Sequence, residues 1–235
     1  GYEEAAAQGL MAGINAALSL RDRPPLILRR NQAYIGVMID DLVTRELTEP
    51  YRLLTSRAEY RLLLRQDNAH LRLTPTGCEL GLVDRERARA VEAEREAIMH
   101  EMDRLAGTRL GTGEGALELL RRQGMTYEHL LEAGAGLAGL PAAVREQVEI
   151  EVKYESYVAR QQDQVERVIK LEERRLPQTG DYEAVIGLRH EARQRLENFR
   201  PATLGQASRI EGVTPADLSA LLIHLEKDRR ARAGR

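Results

Sequence analysis

The sequence predicts a mainly α-helical protein: a helical C-terminal domain with a long-helix extension and a terminal helix-turn-helix-like pair. Three observations carry that expectation. Val91, Ile98 and Leu105 recur every seven residues, with Ala88 and Met102 on the same stripe, as on a helix that packs a seam against another. The stretch from Pro141 to about Leu176 holds no internal Gly or Pro, and as one helix it would span roughly 50 Å. Thr203-x-x-Gln206, a turn at Gly212 and Thr214-Pro215-x-Asp217 read as two successive helix starts.

In chain order, residues 1–20 read as a helix. Ala5, Gly9, Gly13 and Ala17 recur every fourth position, so one face admits close approach of another backbone. A helix that opens on glycine suits an anion, but Glu3 and Glu4 oppose a bare phosphate there. Arg21 to Pro25 is a break, because two prolines end a helix. Ala33 to Leu47 carries Ile35, Met38, Ile39, Leu42 and Val43 at helical spacing. Asp40 and Asp41 are neighbours on that helix, so they point to different faces and cannot converge on one atom. Ser56-x-x-Glu59 has the form of a capping box and predicts a helix from Arg57. Thr74-Pro75 predicts the start of a short helix ended by Gly81. Asp84 caps the next, which runs to about Ala106 and carries His100 on its surface.

Gly107 to Gly115 reads as a linker, since its GTGEG lacks the preceding strand and the following Lys-Ser/Thr of a phosphate loop. A helix is expected over 116–123, and the segment Tyr127 to Ala133 and a Gly/Ala-rich turn lead on to Pro141. Inside the long helix, Val148, Ile150, Val152 and Tyr154 alternate with charged residues, which is strand periodicity. Helix-forming flanks and the lack of a partner strand favour helix. Pro177 to Gly180 breaks the chain, Asp181 is placed to cap the next helix, and Arg200-Pro201 ends that segment. The tail from Lys227 to Arg235 is basic.

Composition sets bounds. The chain has 235 residues, 43% hydrophobic and 31% charged, which describes a globular chain and not a disordered one. No apolar run approaches the roughly 20 residues of a membrane span, and no signal peptide is seen. A single cysteine, Cys78, excludes an internal disulfide and a multi-cysteine zinc site, and it accords with a reducing cytoplasm. The net charge of −2 means that any phosphate site is a local patch. Of 35 basic residues only Lys153, Lys170 and Lys227 are lysine. With no Trp and one Phe, an aromatic stacking platform for single-stranded bases is not expected. No His, Cys or carboxylate cluster has catalytic or metal-ligand spacing.

The segment Glu49 to His70, EPYRLLTSRAEYRLLLRQDNAH, holds the candidate binding residues. On the predicted helix, Arg57, Arg61 and Arg65 fall at i, i+4 and i+8 on one face, with Arg52 ahead and Asn68 behind. Planar guanidinium forks repeated along one face suit a row of phosphates. Tyr60 is the stacking candidate. An ordinary solvated face, with Arg61 paired to Glu59 or Asp67, fits the same spacing.

EPYRLLTSRAEYRLLLRQDNA is similar to the signature of the MnmG (GidA) family, the large flavin-binding subunit of a bacterial enzyme that modifies the wobble uridine of tRNA. GYEEAAAQGLMAGINAA, VEIEVKYESYVARQ and RPATLGQASRIEGVTPADLSALLIHL resemble the same family in the same order. The resemblance implies a piece of a tRNA-modifying flavoenzyme lacking its N-terminal part. It divides the chain into 1–24, a remnant helix of the FAD domain; 25–140, a tRNA-contact domain; and 141–235, a helical extension. It implies tRNA contacts at Arg52, Arg57, Tyr60, Arg61, Arg65 and Asn68, and places Gly1, Tyr2 and Glu3 near FAD. It implies that the C-terminal helices, with Arg209, Leu218 and Leu222, meet a GTPase partner, MnmE. In the intact enzyme FAD and methylene-tetrahydrofolate serve to add a carboxymethylaminomethyl or aminomethyl group, and the enzyme is a cytoplasmic homodimer. The family's reactive cysteines lie upstream, and Cys78 matches none. The Gly-rich dinucleotide motif is not in this chain, so stable flavin binding by this piece is not expected. Family members often carry Ser where this chain has Arg189, and losing that cap costs about 1 kcal/mol at most. Two rival readings remain: a helical adaptor that binds only protein, and a helix-turn-helix duplex-DNA binder. Against the latter, the first turn of the second helix holds Asp217 and few donors, and Leu218, Leu221, Leu222 and Leu225 make an apolar stripe.

Overall fold

The helix signals of the sequence give ten α-helices in a computed structural model, and no strand is found among the described residues. The structure describes residues 1–44, 50–54, 56, 58–172, 174–176 and 182–233, with side chains to residue 227. The helices are α1 (Tyr2–Ser19), α2 (Tyr34–Thr44), α3 (Ala69–Glu79), α4 (Arg85–Gly107), α5 (Ala116–Arg121), α6 (Tyr127–Glu132), α7 (Ala142–Glu172), α8 (His190–Phe199), α9 (Leu204–Arg209) and α10 (Pro215–Ala233). Backbone contacts divide the chain into two units. One gathers 1–8, 37–54 and 162–235; the other gathers 9–36 and 55–161. Both are built from segments distant in sequence, whereas the expected 1–24, 25–140 and 141–235 are divisions along the chain.

In the second unit, α4 starts where its cap predicts: Asp84 accepts from the Arg87 amide at 2.7 Å. Its heptad seam is interior, with Val91, Ile98 and Leu105 all buried. Leu105, Leu120, Leu130, Val144, Val148 and Val152 belong to one core. Spacing of four from Val144 to Val152 puts those valines on one face of α7, so the strand-like alternation of 148–154 is resolved as helix. Glu101 is fully buried in this core. Arg104 grips it with two hydrogen bonds of 2.7 Å and the Tyr127 hydroxyl donates to it at 2.5 Å, so the charge is compensated.

α3 corrects an expectation. It starts at Ala69, and Pro75 lies inside it rather than at its first turn. Proline has no amide to give the carbonyl four residues back. That carbonyl, of Leu71, accepts instead from the Arg95 guanidinium on α4. Gly81 ends the helix as predicted: it takes a φ of +76°, and Leu82 N–H reaches back to Gly77 O at 2.8 Å.

In the first unit, α7 stops at Glu172, four residues short of the expected end. Past it, Leu176 N–H donates to Ala202 O and Leu204 N–H to Arg174 O, both at 2.9 Å, so the backbone here pairs across instead of coiling on. α9 is capped by Thr203, which accepts from the Gln206 amide at 3.1 Å. Leu196, Leu204, Ala207 and Leu221 anchor the core of α8, α9 and α10. Arg189 stands at the N-cap of α8 with no capping bond from its side chain. Its guanidinium pairs with Asp217 at 2.7 Å instead. Asp217 is fully buried and also accepts from the Thr214 amide and hydroxyl at 2.8 and 2.6 Å. The break at 177–180, the cap at Asp181 and the end of α2 beyond Thr44 lie outside the described residues, as do the side chains of the basic tail after Lys227.

Candidate nucleic-acid interface

The predicted arginine helix is replaced by turns. Residues 59–63 are turns and 65 is irregular; Arg57 lies outside the described residues. The reason is the fate of Glu59. Its carboxylate is held by Arg30 through Nε at 2.5 Å and Nη2 at 2.9 Å, and Arg30 is buried. A glutamate so engaged is not available to reach back to Ser56. Ala58, Tyr60 and Leu64 turn inward and are buried, and the Leu64 amide donates to Tyr60 O at 2.8 Å.

The downstream end is pinned harder. Arg65 donates from Nε to Asp67 at 3.1 Å, from Nη2 to Glu151 of α7 at 2.7 Å and from Nη1 to Leu62 O at 2.8 Å. Its side chain is 12% exposed. Burial works against its charge, but hydrogen bonds to Glu151 and Asp67 outweigh it and raise the arginine further. Burial likewise pushes Asp67 up, yet bonds from Gln147 and Arg65 hold its carboxyl below the ordinary value. Asn68 faces inward: its amide donates to Leu63 O at 3.1 Å and its oxygen accepts from Arg72 at 2.8 Å. Arg72 also donates to the carbonyls of Gln32 and Arg65.

Of the six residues expected to meet tRNA, Tyr60, Arg65 and Asn68 therefore build the turn. Arg61 is exposed on it, with no carboxylate partner among the described residues. Arg52 is exposed in the other unit, next to Leu53, whose amide donates to Glu4 at 3.2 Å. The shaping residues that the sequence did not single out are Arg30, Arg72, Gln147 and Glu151. Arg30, Gln147 and Glu151 find their partners far away in the chain, and Arg72 joins local bonds to Asn68 and Arg65 with a distant one to Gln32, so local spacing marks little of this set.

The other candidates divide similarly. Tyr2 is 94% exposed and Glu3 is exposed beside it. An open acidic first turn does not by itself suit a bare phosphate. Arg209 is enclosed by Asp40 and Glu172, each at 2.6 Å. Leu218 and Leu222 pack against the core of their own unit. Asp217 in the first turn of α10 accepts from Arg189 and Thr214, so its carboxylate is not open to a base edge. Cys78 is a half-buried free thiol. Among the described residues no cluster of three or more metal-ligating side chains forms, and no helix is long and apolar enough to cross a membrane.

Comparison with known proteins covers nearly the whole chain. Residues 164–235 match the family described as tRNA modifying enzyme MnmG/GidA C-terminal helical bundle, and residues 85–162 match the MnmG/GidA C-terminal helical domain. Residues 1–24 match glucose inhibited division protein A. The chain is 53% identical to the tRNA uridine 5-carboxymethylaminomethyl modification enzyme MnmG of Roseiflexus sp. (strain RS-1), over 98% of this chain and 36% of that protein. It is 54% identical to the protein of that name from Geobacter metallireducens, over 96% of this chain and 39% of the relative. The form II crystal structure of Aquifex aeolicus GidA superposes with a TM-score of 0.83 at 44% identity, covering 96% of this chain and 38% of that one. The chain thus spans well under half the length of these relatives.

Proposed function

The chain belongs to the MnmG/GidA family, of which it is the C-terminal helical part, and from that premise we propose that it is the RNA- and partner-contacting portion of an enzyme that modifies the wobble uridine of tRNA. The observation that carries the RNA reading is Arg61. It is an open guanidinium on a turn whose neighbours, Glu59 and Arg65, are locked in ion pairs. Held from both sides, the turn presents one cation at low ordering cost, which suits a phosphate oxygen. Arg52 is proposed as a second phosphate contact, and Arg57 keeps the role expected from the sequence. Tyr60, Arg65 and Asn68 support these contacts as shaping residues.

By resemblance, the proposal extends to FAD and a folate donor bound by the longer enzyme, a cytoplasmic setting, a homodimer, and a GTPase partner, MnmE, met by the C-terminal helices. With Leu218 and Leu222 packed inward, the large apolar side chains open to a partner in that unit include Ile186 and Ile223, 86% and 56% exposed. Deleting residues after Leu176 is expected to abolish co-purification with the GTPase, while Arg61→Ala leaves it intact.

Titrating the chain with tRNA at several salt concentrations tests the RNA reading. Arg61→Ala is expected to weaken binding and to lower the log-log salt slope by about one. Unchanged affinity and slope would remove Arg61 from the interface. No tRNA binding by the parent chain at low salt would leave the protein-only adaptor. Tighter binding to duplex DNA than to tRNA would favour the DNA reading.

A further inference from the structure

The chain is poor in aromatic residues, and Tyr60, Tyr127 and Tyr182 are spent in its interior. Against that economy, Tyr154 and Tyr157 stand 42% and 53% exposed on α7. They are three residues apart, so their rings share one side of the helix. The Arg160 guanidinium lies over the Tyr157 ring, 5.1 Å from its centroid. Arg160 has no carboxylate partner among the described residues; its Nε donates to Ser156 O at 3.2 Å. One turn beyond Tyr157, Gln161 donates to the carbonyl of Glu59 at 3.2 Å. That bond fastens this side of α7 to the turn that carries Arg61, within one unit.

We propose that Tyr157, backed by Arg160, is a stacking platform for an unpaired base of the bound RNA, beside the phosphate contact of Arg61. Every base has a π-face, and a tyrosine ring half open to solvent offers a matching one. A guanidinium over the ring adds cation–π attraction and positive charge near the strand. Arg160 over the ring and Arg61 on the turn that Gln161 reaches, both without carboxylate partners among the described residues, favour a polyanion over an apolar protein surface. The inference rests on the RNA reading above and adds the element of the RNA that is read: a loop or splayed base, which duplex lacks.

The test uses the full chain and two RNAs, a tRNA anticodon stem-loop and a blunt duplex of equal length. Tyr157→Leu keeps apolar bulk and removes the ring; Tyr157→Phe keeps the ring. Tyr157→Leu is expected to weaken stem-loop binding about 5- to 150-fold, as stacking of one base implies. Its salt slope and its duplex affinity should match the parent, and Tyr157→Phe should bind as the parent does. Equal loss on both RNAs overturns the proposal, and so does parent-like stem-loop binding by Tyr157→Leu. If that variant binds RNA normally but no longer co-purifies with the GTPase, the face is a protein contact and the proposal fails. If the parent chain binds neither RNA at low salt, the underlying RNA reading fails, and that result is distinct from the others.

Discussion

Asp217 shows how much one side chain settles. Burial pushes its carboxyl up, but hydrogen bonds from Arg189 and Thr214 outweigh that and hold it far below the ordinary range. A carboxyl depressed in the folded state adds stability above its unfolded value, near 4, and loses it as pH falls below that. Asp217→Asn is therefore expected to cost about 2 kcal/mol at pH 7. That is below the figure for a wholly buried pair, because the Arg189 side chain is 46% exposed. The gap between parent and variant should begin to narrow below about pH 4 and close only as pH falls through the depressed folded-state value, so it should be smaller at pH 3 than at pH 7. Urea melts at pH 7 and pH 3 check both parts. A constant gap would mean that the ion pair is not the source.

At the scale of elements, α3 and α4 are coupled through a carbonyl. Arg95→Ala should leave Leu71 O without its donor and cost about 1–3 kcal/mol. Pro75→Ala restores an amide at the position that helix geometry aims at Leu71 O. In that background Arg95→Ala should cost markedly less, and a double-mutant cycle measures the difference. The same helix explains what the sequence could and could not show. α4 and α7 are legible because their signals are local: a cap at Asp84, a heptad seam, a long run free of Gly and Pro. The start of α3 is not, since the donor that makes Pro75 tolerable comes from Arg95, on the next helix. The turn at 59–63 departs from the helix expected there for a related reason. Ser56-x-x-Glu59 is a sound capping form, but Arg30 takes the glutamate. The family segment is recognisable, then, while the roles of its arginines depend on partners brought in by tertiary structure.

At the scale of the molecule, each unit has its own apolar core. Leu120→Ala and Leu204→Ala both empty fully buried sites and should each cost about 2–5 kcal/mol. Native-state hydrogen exchange should place the loss in different helices. The first should quicken exchange in α4 to α6, the second in α8 to α10. Quickening of both sets by either change would show that the cores unfold as one.

Arg65, enclosed between Asp67 and Glu151, has a consequence for any alanine scan of its segment. Truncating it takes the cation from Glu151 and Asp67 and loosens the loop that displays Arg61, so its loss would mimic a lost ligand contact. Heat separates the two cases. An Arg65 defect should deepen on warming and fade in the cold, whereas an Arg61 defect should follow ionic strength at every temperature.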